Sequence, residues 1–276
     1  MTARSQERIA LVTGASSGIG QAIATLLAER GFRVFGTARR PTQNNAVAAE
    51  KLETIPLDVR DAESVRAAVR TVLERAGRID ALVNNAGSML VGSLEETSME
   101  EAKELFETNF FGVLRMSQAV LAIMRAQGYG RIANISSVVG FLPAPYMGIY
   151  AATKHAIEGY SESLDHEVRQ FGIRVSAIEP GFIKTNLGEH GQLVSQPLSA
   201  YASERNSAFK SLRENIAKGE HPRAVASAVL EALTSRSPRV RYRAGREAKF
   251  LSLLTKFAPN RLLDKGIRKQ FGLNAA

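Results

Sequence analysis

Thr13-Gly14-Ala15-Ser16-Ser17-Gly18-Ile19-Gly20 is the stretch whose reading decides the fold. It directly follows a short apolar run, Ile9 to Thr13, that reads as a strand, and it opens an amphipathic stretch, Ile19 to Glu29, that reads as a helix. A strand-to-helix turn needs glycine where the backbone bends tightly, where it approaches a pyrophosphate, and where helix packs on strand. The anion then sits on the free N–H groups of the helix N-terminus. A glycine pattern alone could mark a βα turn that binds nothing, but its place in the first βαβ unit favours a nucleotide turn.

Outward from this turn, β-branched apolar runs alternate with amphipathic stretches, the pattern of a parallel sheet covered by helices. Strands are expected at Ile9 to Thr13, Arg33 to Ala38, Thr54 to Val59, Ala81 to Asn84, Arg131 to Ser136, Arg174 to Glu179 and Arg239 to Tyr242. Helices are expected at Ile19 to Glu29, Ala62 to Ala76, Met99 to Gln127, Tyr150 to Phe171 and Arg223 to Thr234. Ser98 followed by Glu101 makes a capping box, and Pro222 suits a first helical position. The fold class is α/β: a doubly wound, Rossmann-type sheet of seven parallel strands with helices on both faces, in one domain spanning 1–276. The stretch 185–219 is polar and broken by Gly188, Gly191 and Pro197, and is expected to form a substrate lid. Beyond Gly245, apolar residues recur near helical spacing among many cations, so 245–276 is expected to form a basic helical extension.

The net charge of +9 belongs to the end of the chain. From Arg236 onward eleven Lys/Arg face only Glu247 and Asp264, a surplus equal to the whole chain's charge. Such a surface either stays solvated or attracts an anionic lipid surface, nucleic acid or an acidic carrier protein. No specific nucleic-acid binding is expected. The chain has no cysteine, which excludes a disulfide framework, a thiol nucleophile and a Cys-based metal site. His155, His166, His190 and His221 make no ligand pattern, so no metal is expected. The apolar run after Arg4 and Arg8 is too short for a secretory core, and the expectation is a cytoplasmic protein.

Cofactor choice follows from the end of the second strand, Thr37-Ala38-Arg39-Arg40. An NAD site wants a carboxylate there, whereas a 2′-phosphate wants a guanidinium. The expectation is NADP(H). Farther on, Tyr150 and Lys154 are four apart near a helix start, which puts them on one face. A tyrosine can deliver a proton to a carbonyl oxygen while a hydride reaches the carbon. Bringing a phenol from about 10 toward neutrality takes roughly 4 kcal/mol, which one ammonium about 4 Å away supplies at an effective dielectric near 20. Either Ser136 or Ser137, but not both, can turn toward such a site from the end of the fifth strand.

The G-x-x-x-G-x-G spacing resembles the glycine loop of the short-chain dehydrogenase/reductase family. Other motifs of that family stand in order: Asp58, Asn84-Asn85-Ala86-Gly87, Asn109, Ser137, Tyr150-x-x-x-Lys154 and Pro180-Gly181. The resemblance runs from about Ile9 to Thr185. It implies catalytic roles for Asn109, Ser137, Tyr150 and Lys154, with Tyr150 and Lys154 also in contact with the cofactor, Lys154 on the nicotinamide ribose, and Asn109 holding a relay water. It implies that Gly14, Ser16, Ser17, Gly18, Ile19 and Gly20 hold the pyrophosphate, and that Arg39 selects the 2′-phosphate. Asp58 and Val59 would meet the adenine. Asn85, Ala86 and Gly87 would support the cofactor, and Pro180, Gly181, Ile183 and Thr185 would hold the nicotinamide end.

Phe141, Leu142, Pro143, Pro145, Tyr146, Met147 and Phe182 suit an apolar ligand, or simply pack beneath the lid. The extension and the stretch from Tyr242 resemble the 17β-hydroxysteroid-dehydrogenase-like branch, which implies a lipophilic ketone, aldehyde or alcohol. Alternatives are a β-ketoacyl-carrier-protein reductase and a non-catalytic NADP-binding sensor or adaptor. The resemblance also implies a homodimer or homotetramer formed through Met99 to Gln127 and Tyr150 to Phe171.

Overall fold

The computed structural model describes residues 7–40, 51–185 and 192–273. Gly188, His190 and Gly191 of the expected lid lie outside the described residues, as do 1–6, 41–50 and 274–276. The first half runs β1 (Ile9–Val12), α1 (Gly18–Glu29), β2 (Arg33–Ala38), β3 (Leu52–Pro56), α2 (Ala62–Ala76), β4 (Ala81–Asn84), β5 (Leu90–Val91), α3 (Met99–Phe106) and α4 (Gly112–Gln127). The second runs β6 (Gly130–Ile135), α5 (Gly148–Val168), β7 (Ile173–Pro180), β8 (Gln192–Leu193), α6 (Ala202–Ala217), α7 (Arg223–Thr234), β9 (Arg241–Ala244), α8 (Arg246–Phe257) and α9 (Asn260–Gln270).

Seven strands form one parallel sheet in the order β3-β2-β1-β4-β6-β7-β9. The winding direction reverses between β1 and β4. Loops leaving the carboxyl ends of those two strands diverge and open a crevice, the place where such sheets bind ligands.

Alternation along β1 shows how both faces are filled. Ala10 and Val12 share a core with Ile23 and Leu27 of α1 and Val229 and Leu233 of α7. Ile9 and Leu11 pack on the other face with Val69 and Val72 of α2, Met116 and Val120 of α4 and Leu164 of α5. Each such side chain contributes about 1.5–3 kcal/mol by leaving water, so a one-residue slip would expose one set and is strongly disfavoured.

Two buried polar networks fix α5. Asn84 Nδ2 donates to Asn134 Oδ1 at 2.8 Å, and Asn134 Nδ2 donates to Ser161 Oγ on α5 at 2.9 Å. Near the other end of α5, buried Asp165 accepts Arg169 Nε at 2.8 Å, Arg174 Nε at 2.9 Å and Val175 N at 2.8 Å. The helix is thereby tied to β6 and β7.

The capping box at Ser98 and Glu101 forms, with Ser98 Oγ accepting from Glu101 N and Glu101 Oε2 from Ser98 N. The expected helix from Met99 to Gln127 is continuous but passes through one π-helical turn, Glu107–Phe111. Two strands are displaced from expectation by two residues or more. The ladder of β3 covers Leu52–Pro56, earlier than Thr54 to Val59, because Leu57 and Val59 bury their side chains after leaving the sheet. The last strand is displaced to Arg241–Ala244, where it pairs with Ala177 to Pro180. Within 185–219, residues read only as a polar lid form the helix α6, and β8 pairs in parallel with β5.

Candidate active site

The glycine turn is knitted to the loop after β4. Thr13 Oγ1 accepts from Asn85 N at 2.9 Å and from Ala86 N at 3.0 Å, while Asn85 Nδ2 donates to Thr13 O at 2.9 Å and Gly14 O at 3.1 Å. Gly14 and Gly18 have φ of +65° and +55°, a region that disfavours any side chain. Ser17 stands before α1 in extended backbone, its side chain makes no cap, and no acidic residue occupies the first helical turn. The helix end is therefore free to receive an anion.

At Gly20 a Cβ would lie 2.2 Å from Gly14 O and 2.4 Å from Asn85 Nδ2. Backbone must move to admit it, at a cost of about 1–3 kcal/mol. Gly20→Ala is expected to weaken nicotinamide-cofactor binding by about tenfold or more, measured by calorimetric titration. Unchanged affinity would show that the turn does not contact the pyrophosphate.

The catalytic candidates are positioned by β6 and α5. Ser137 ends the segment after β6, its Oγ accepting from Val139 N at 3.3 Å. A turn in which Tyr146 takes a φ of +60° leads into α5, and Tyr146 O accepts from Gly92 N at 2.9 Å. Two residues into α5 comes Tyr150, then Lys154 one turn later, and both side chains are buried. Lys154 Nζ donates to Ile135 O at 2.9 Å and lies 5.6 Å from the centroid of the Tyr150 ring.

Burial pushes the Tyr150 phenol up to about 12, and its hydrogen bond with Ser137 only partly opposes this. Burial likewise pulls Lys154 down to about 8, with the Glu158 carboxylate opposing. The expected lowering of the phenol by Lys154 is outweighed here by burial. Burial of the two side chains penalises both charged forms, and the ammonium is directed at the Ile135 carbonyl.

All but one of these residues surround a single cavity of about 840 Å³, large for a small-molecule site. Gly14, Ser16, Ser17, Gly18, Ile19 and Gly20 line one wall, and Arg39, Asp58 and Val59 line one end. Asn85, Ala86, Gly87, Ser137, Tyr150 and Lys154 line the middle, facing Pro180, Gly181, Ile183 and Thr185. Thr185 closes over the glycine turn, where a Cβ on Gly18 would meet its Cγ2 at 3.4 Å. Asn109 is the exception: it is buried in the π-helical turn beneath the cavity. Its Nδ2 donates to Ser88 O at 2.9 Å and Thr153 Oγ1 at 3.2 Å, and its Oδ1 accepts from Ser88 N at 2.9 Å.

The sequence model of the short chain dehydrogenase family matches residues 8–192, which hold both the glycine turn and Tyr150 with Lys154. The chain belongs to the short-chain dehydrogenase family. This member is 37% identical over 267 residues to a 3-ketodihydrosphingosine reductase of Bacteroides thetaiotaomicron, covering 95% of this chain and 97% of that one. It is 41% identical over 183 residues to the 3-oxoacyl-(acyl-carrier-protein) reductase FabG of Vibrio harveyi, covering 65% and 75%. A short-chain dehydrogenase from Streptomyces avermitilis superposes with a TM-score of 0.81 at 38% identity, over 95% of this chain and 98% of that one. Two further solved relatives carry different dinucleotides. ElxO with NADP bound has TM-score 0.71, 26% identity and coverage of 86% and 97%, and a short chain dehydrogenase/reductase from Burkholderia phymatum in complex with NAD has TM-score 0.80, 25% identity and coverage of 98% and 97%. The chain is accordingly an oxidoreductase acting on CH–OH groups with a nicotinamide cofactor.

In this short-chain dehydrogenase several cavity residues escape a sequence reading. Arg60 lies at the Arg39 end and holds Asp58 through Nε at 3.0 Å and Nη2 at 2.7 Å. The Arg60 hydrogen bond keeps Asp58 below its ordinary range. Leu212 and Ile216 of α6, Leu251 of α8, and Ile267 and Phe271 at α9 line the apolar end. For α6 a signal existed: Arg205, Ala208, Leu212 and Ile216 are all buried and recur every three or four residues. Buried Arg205 pairs with buried Glu96, which roots α6 beside α3.

Proposed function

We propose that this oxidoreductase uses NADP(H) to interconvert a lipophilic ketone and its alcohol, with Tyr150 as the acid/base. The observation that carries this reading is one cavity lined by the glycine turn, by Ser137, Tyr150 and Lys154, and at its far end by Leu212, Ile216, Leu251 and Phe271. The glycine turn, Arg39, Lys154, Ile183 and Thr185 would hold the cofactor. When bound, the nicotinamide supplies the hydride for reduction or accepts it in oxidation.

Tyr150 Oη then gives its proton to the carbonyl oxygen, and Ser137 donates a hydrogen bond to that oxygen as charge develops there. A phenol raised by burial is protonated at neutral pH, the state that donates in the reducing direction. Lys154, one turn along α5 and held by the Ile135 carbonyl, would contact the nicotinamide ribose and keep that end of the cofactor beside Tyr150. Asn109, buried against Thr153 in the turn before Lys154, positions this part of α5. Helix α6, within the expected lid, would cover the substrate end of the cavity.

The NADP(H) preference rests on Arg39, which lines the cavity and has no ion-pair partner among the described residues, whereas Arg40 lies outside the cavity. A charge-assisted contact of this kind is worth about 1.5–3 kcal/mol. Arg39→Ala is therefore expected to raise the KM for NADPH by about 10- to 100-fold and to leave the KM for NADH nearly unchanged. Equal effects on both, in steady-state kinetics, would remove Arg39 from the 2′-phosphate site.

The likeness to the 3-ketodihydrosphingosine reductase extends along the C-terminal helices, whereas the likeness to the carrier-protein reductase covers only 65% of this chain. This supports a free lipophilic ketone over a carrier-bound one. The 17β-hydroxysteroid-dehydrogenase-like resemblance of the extension agrees in substrate character. A panel of long-chain, steroid and carrier-bound ketones, assayed for NADPH consumption, tests the reading. Turnover confined to carrier-bound substrates would favour the carrier-protein reductase, and NADPH binding without turnover would favour a sensor. The family's homodimer or homotetramer would form through α3, α4 and α5, where Phe111 is exposed.

A further inference from the structure

The C-terminal helices bury one side and expose an apolar stripe on the other. On α8, Ala248 is fully buried and Leu251 lines the cavity. Phe250, Leu253 and Phe257, spaced three and four apart, share the opposite face, about half a turn away. They are 62%, 58% and 81% exposed, and Leu262 on α9 is 63% exposed. Scattered exposed side chains are ordinary, but a stripe of two phenylalanines and two leucines on adjoining helices is not.

The same surface carries the chain's charge. Arg239, Arg241 and Arg243 are occupied by Glu231, Glu158, Glu162 and Glu179 around β9. Lys249, Lys256, Arg261, Lys265 and Lys269 are exposed and have no ion pair among the described residues. Of the acids near α8 and α9, Glu247 turns inward to accept from Phe182 N at 2.9 Å and Glu220 accepts from Arg246 N at the start of α8, and Asp264 is the one acid within α9. A second copy would bring two strongly cationic faces together, so self-association through this stripe is opposed by its own charge. An anionic lipid surface satisfies both components, since headgroups neutralise the cations and the acyl boundary receives the rings. Among the described residues no helix is long and apolar enough to cross a membrane, so attachment is interfacial.

We infer that the outer face of α8 and α9, centred on Phe250, Leu253 and Phe257 with Lys249, Lys256 and Lys265 around them, docks on an anionic membrane surface. The inner sides of the same helices contribute Leu251, Ile267 and Phe271 to the cavity, so docking brings its apolar end toward the bilayer. The docking itself does not depend on which carbonyl is reduced.

Full-length protein is sedimented with vesicles of phosphatidylcholine alone and with about one third phosphatidylglycerol, at low and high salt. The expected result is partition onto the anionic vesicles only, weakened by salt. The triple variant Phe250→Ser, Leu253→Ser, Phe257→Ser is expected to lower that partition by about tenfold or more. Its melting temperature and turnover of a short water-soluble ketone should match the parent, and Phe257→Ser alone gives a milder version at one highly exposed site. Lys249→Gln with Lys256→Gln should flatten the salt dependence. Vesicle binding that is equal in the triple variant, or absent in the parent, overturns the inference. A parent dimer that the triple variant abolishes would assign the stripe to a second copy, and preferential binding of a single-stranded oligonucleotide would assign it to nucleic acid; either overturns it too.

Discussion

Tyr150→Phe is expected to lower ketone turnover by about 10²- to 10⁴-fold, the usual worth of a positioned proton donor. The substitution keeps the buried ring and removes one hydroxyl, whose hydrogen bond in the structure is with Ser137. Packing of the ring among apolar neighbours, Met147 and Val139 among them, is retained. The melting temperature and the affinity for NADPH should therefore stay within error of the parent, with the loss confined to kcat. Stopped-flow loss of NADPH absorbance with saturating ketone checks this. Turnover within a factor of about two of the parent would mean that the proton comes from elsewhere.

A comparable effect on stability is expected far from the cavity. Asp165 is fully buried and receives Arg169, Arg174 and the N–H of Val175. Asp165→Ala leaves two guanidiniums and a buried N–H without their acceptor, for a loss of about 3–5 kcal/mol and roughly 10 °C in Tm. Burial works to raise this carboxyl, but Arg174, the Val175 N–H and Arg169 outweigh it and hold it below the ordinary range. A depressed folded-state value means the carboxylate stabilises the protein fully above the unfolded pKa, near 3.9, and that the contribution is lost as pH falls through the folded value. The gap between parent and variant in urea unfolding should be full at neutral pH and shrink only at strongly acidic pH. A constant gap across that range would mean that the loss is one of packing rather than charge.

Much of the architecture was legible because local pattern and tertiary role coincide. The bounds of β2, α2, β4 and α7 match the periodicity reading residue for residue, since each has a clear alternation or a marked start and stop. Helix α6 was obscured by its composition: most of Ala202–Ala217 is polar, and its narrow stripe is meaningful only once Glu96 and the cavity exist for it to pack against. Strand β9 was misplaced by two residues because its register is set by β7, more than 60 positions earlier.

Within the site, the motif spacings named residues that the fold brings around one cavity, Asn109 excepted. The apolar end was legible only in part: Leu142, Pro143, Met147 and Phe182 line it as read, Phe141, Pro145 and Tyr146 do not, and Leu212, Leu251 and Phe271 come from three separate later segments. The electrostatics of Tyr150 and Lys154 could not be read locally. Helical spacing says that the two share a face, but burial and the Ile135 carbonyl decide where the ammonium points.

The central claim is that the Tyr150 phenol meets the reacting oxygen beside the nicotinamide. A crystal structure with NADP(H) and a ketone or alcohol that the protein turns over tests it most directly. The account predicts the substrate oxygen within about 2.6–3.2 Å of both Tyr150 Oη and Ser137 Oγ, with the substrate's apolar body against Leu212, Ile216 and Leu251. A substrate oxygen held by other groups, with Tyr150 out of reach, would contradict it.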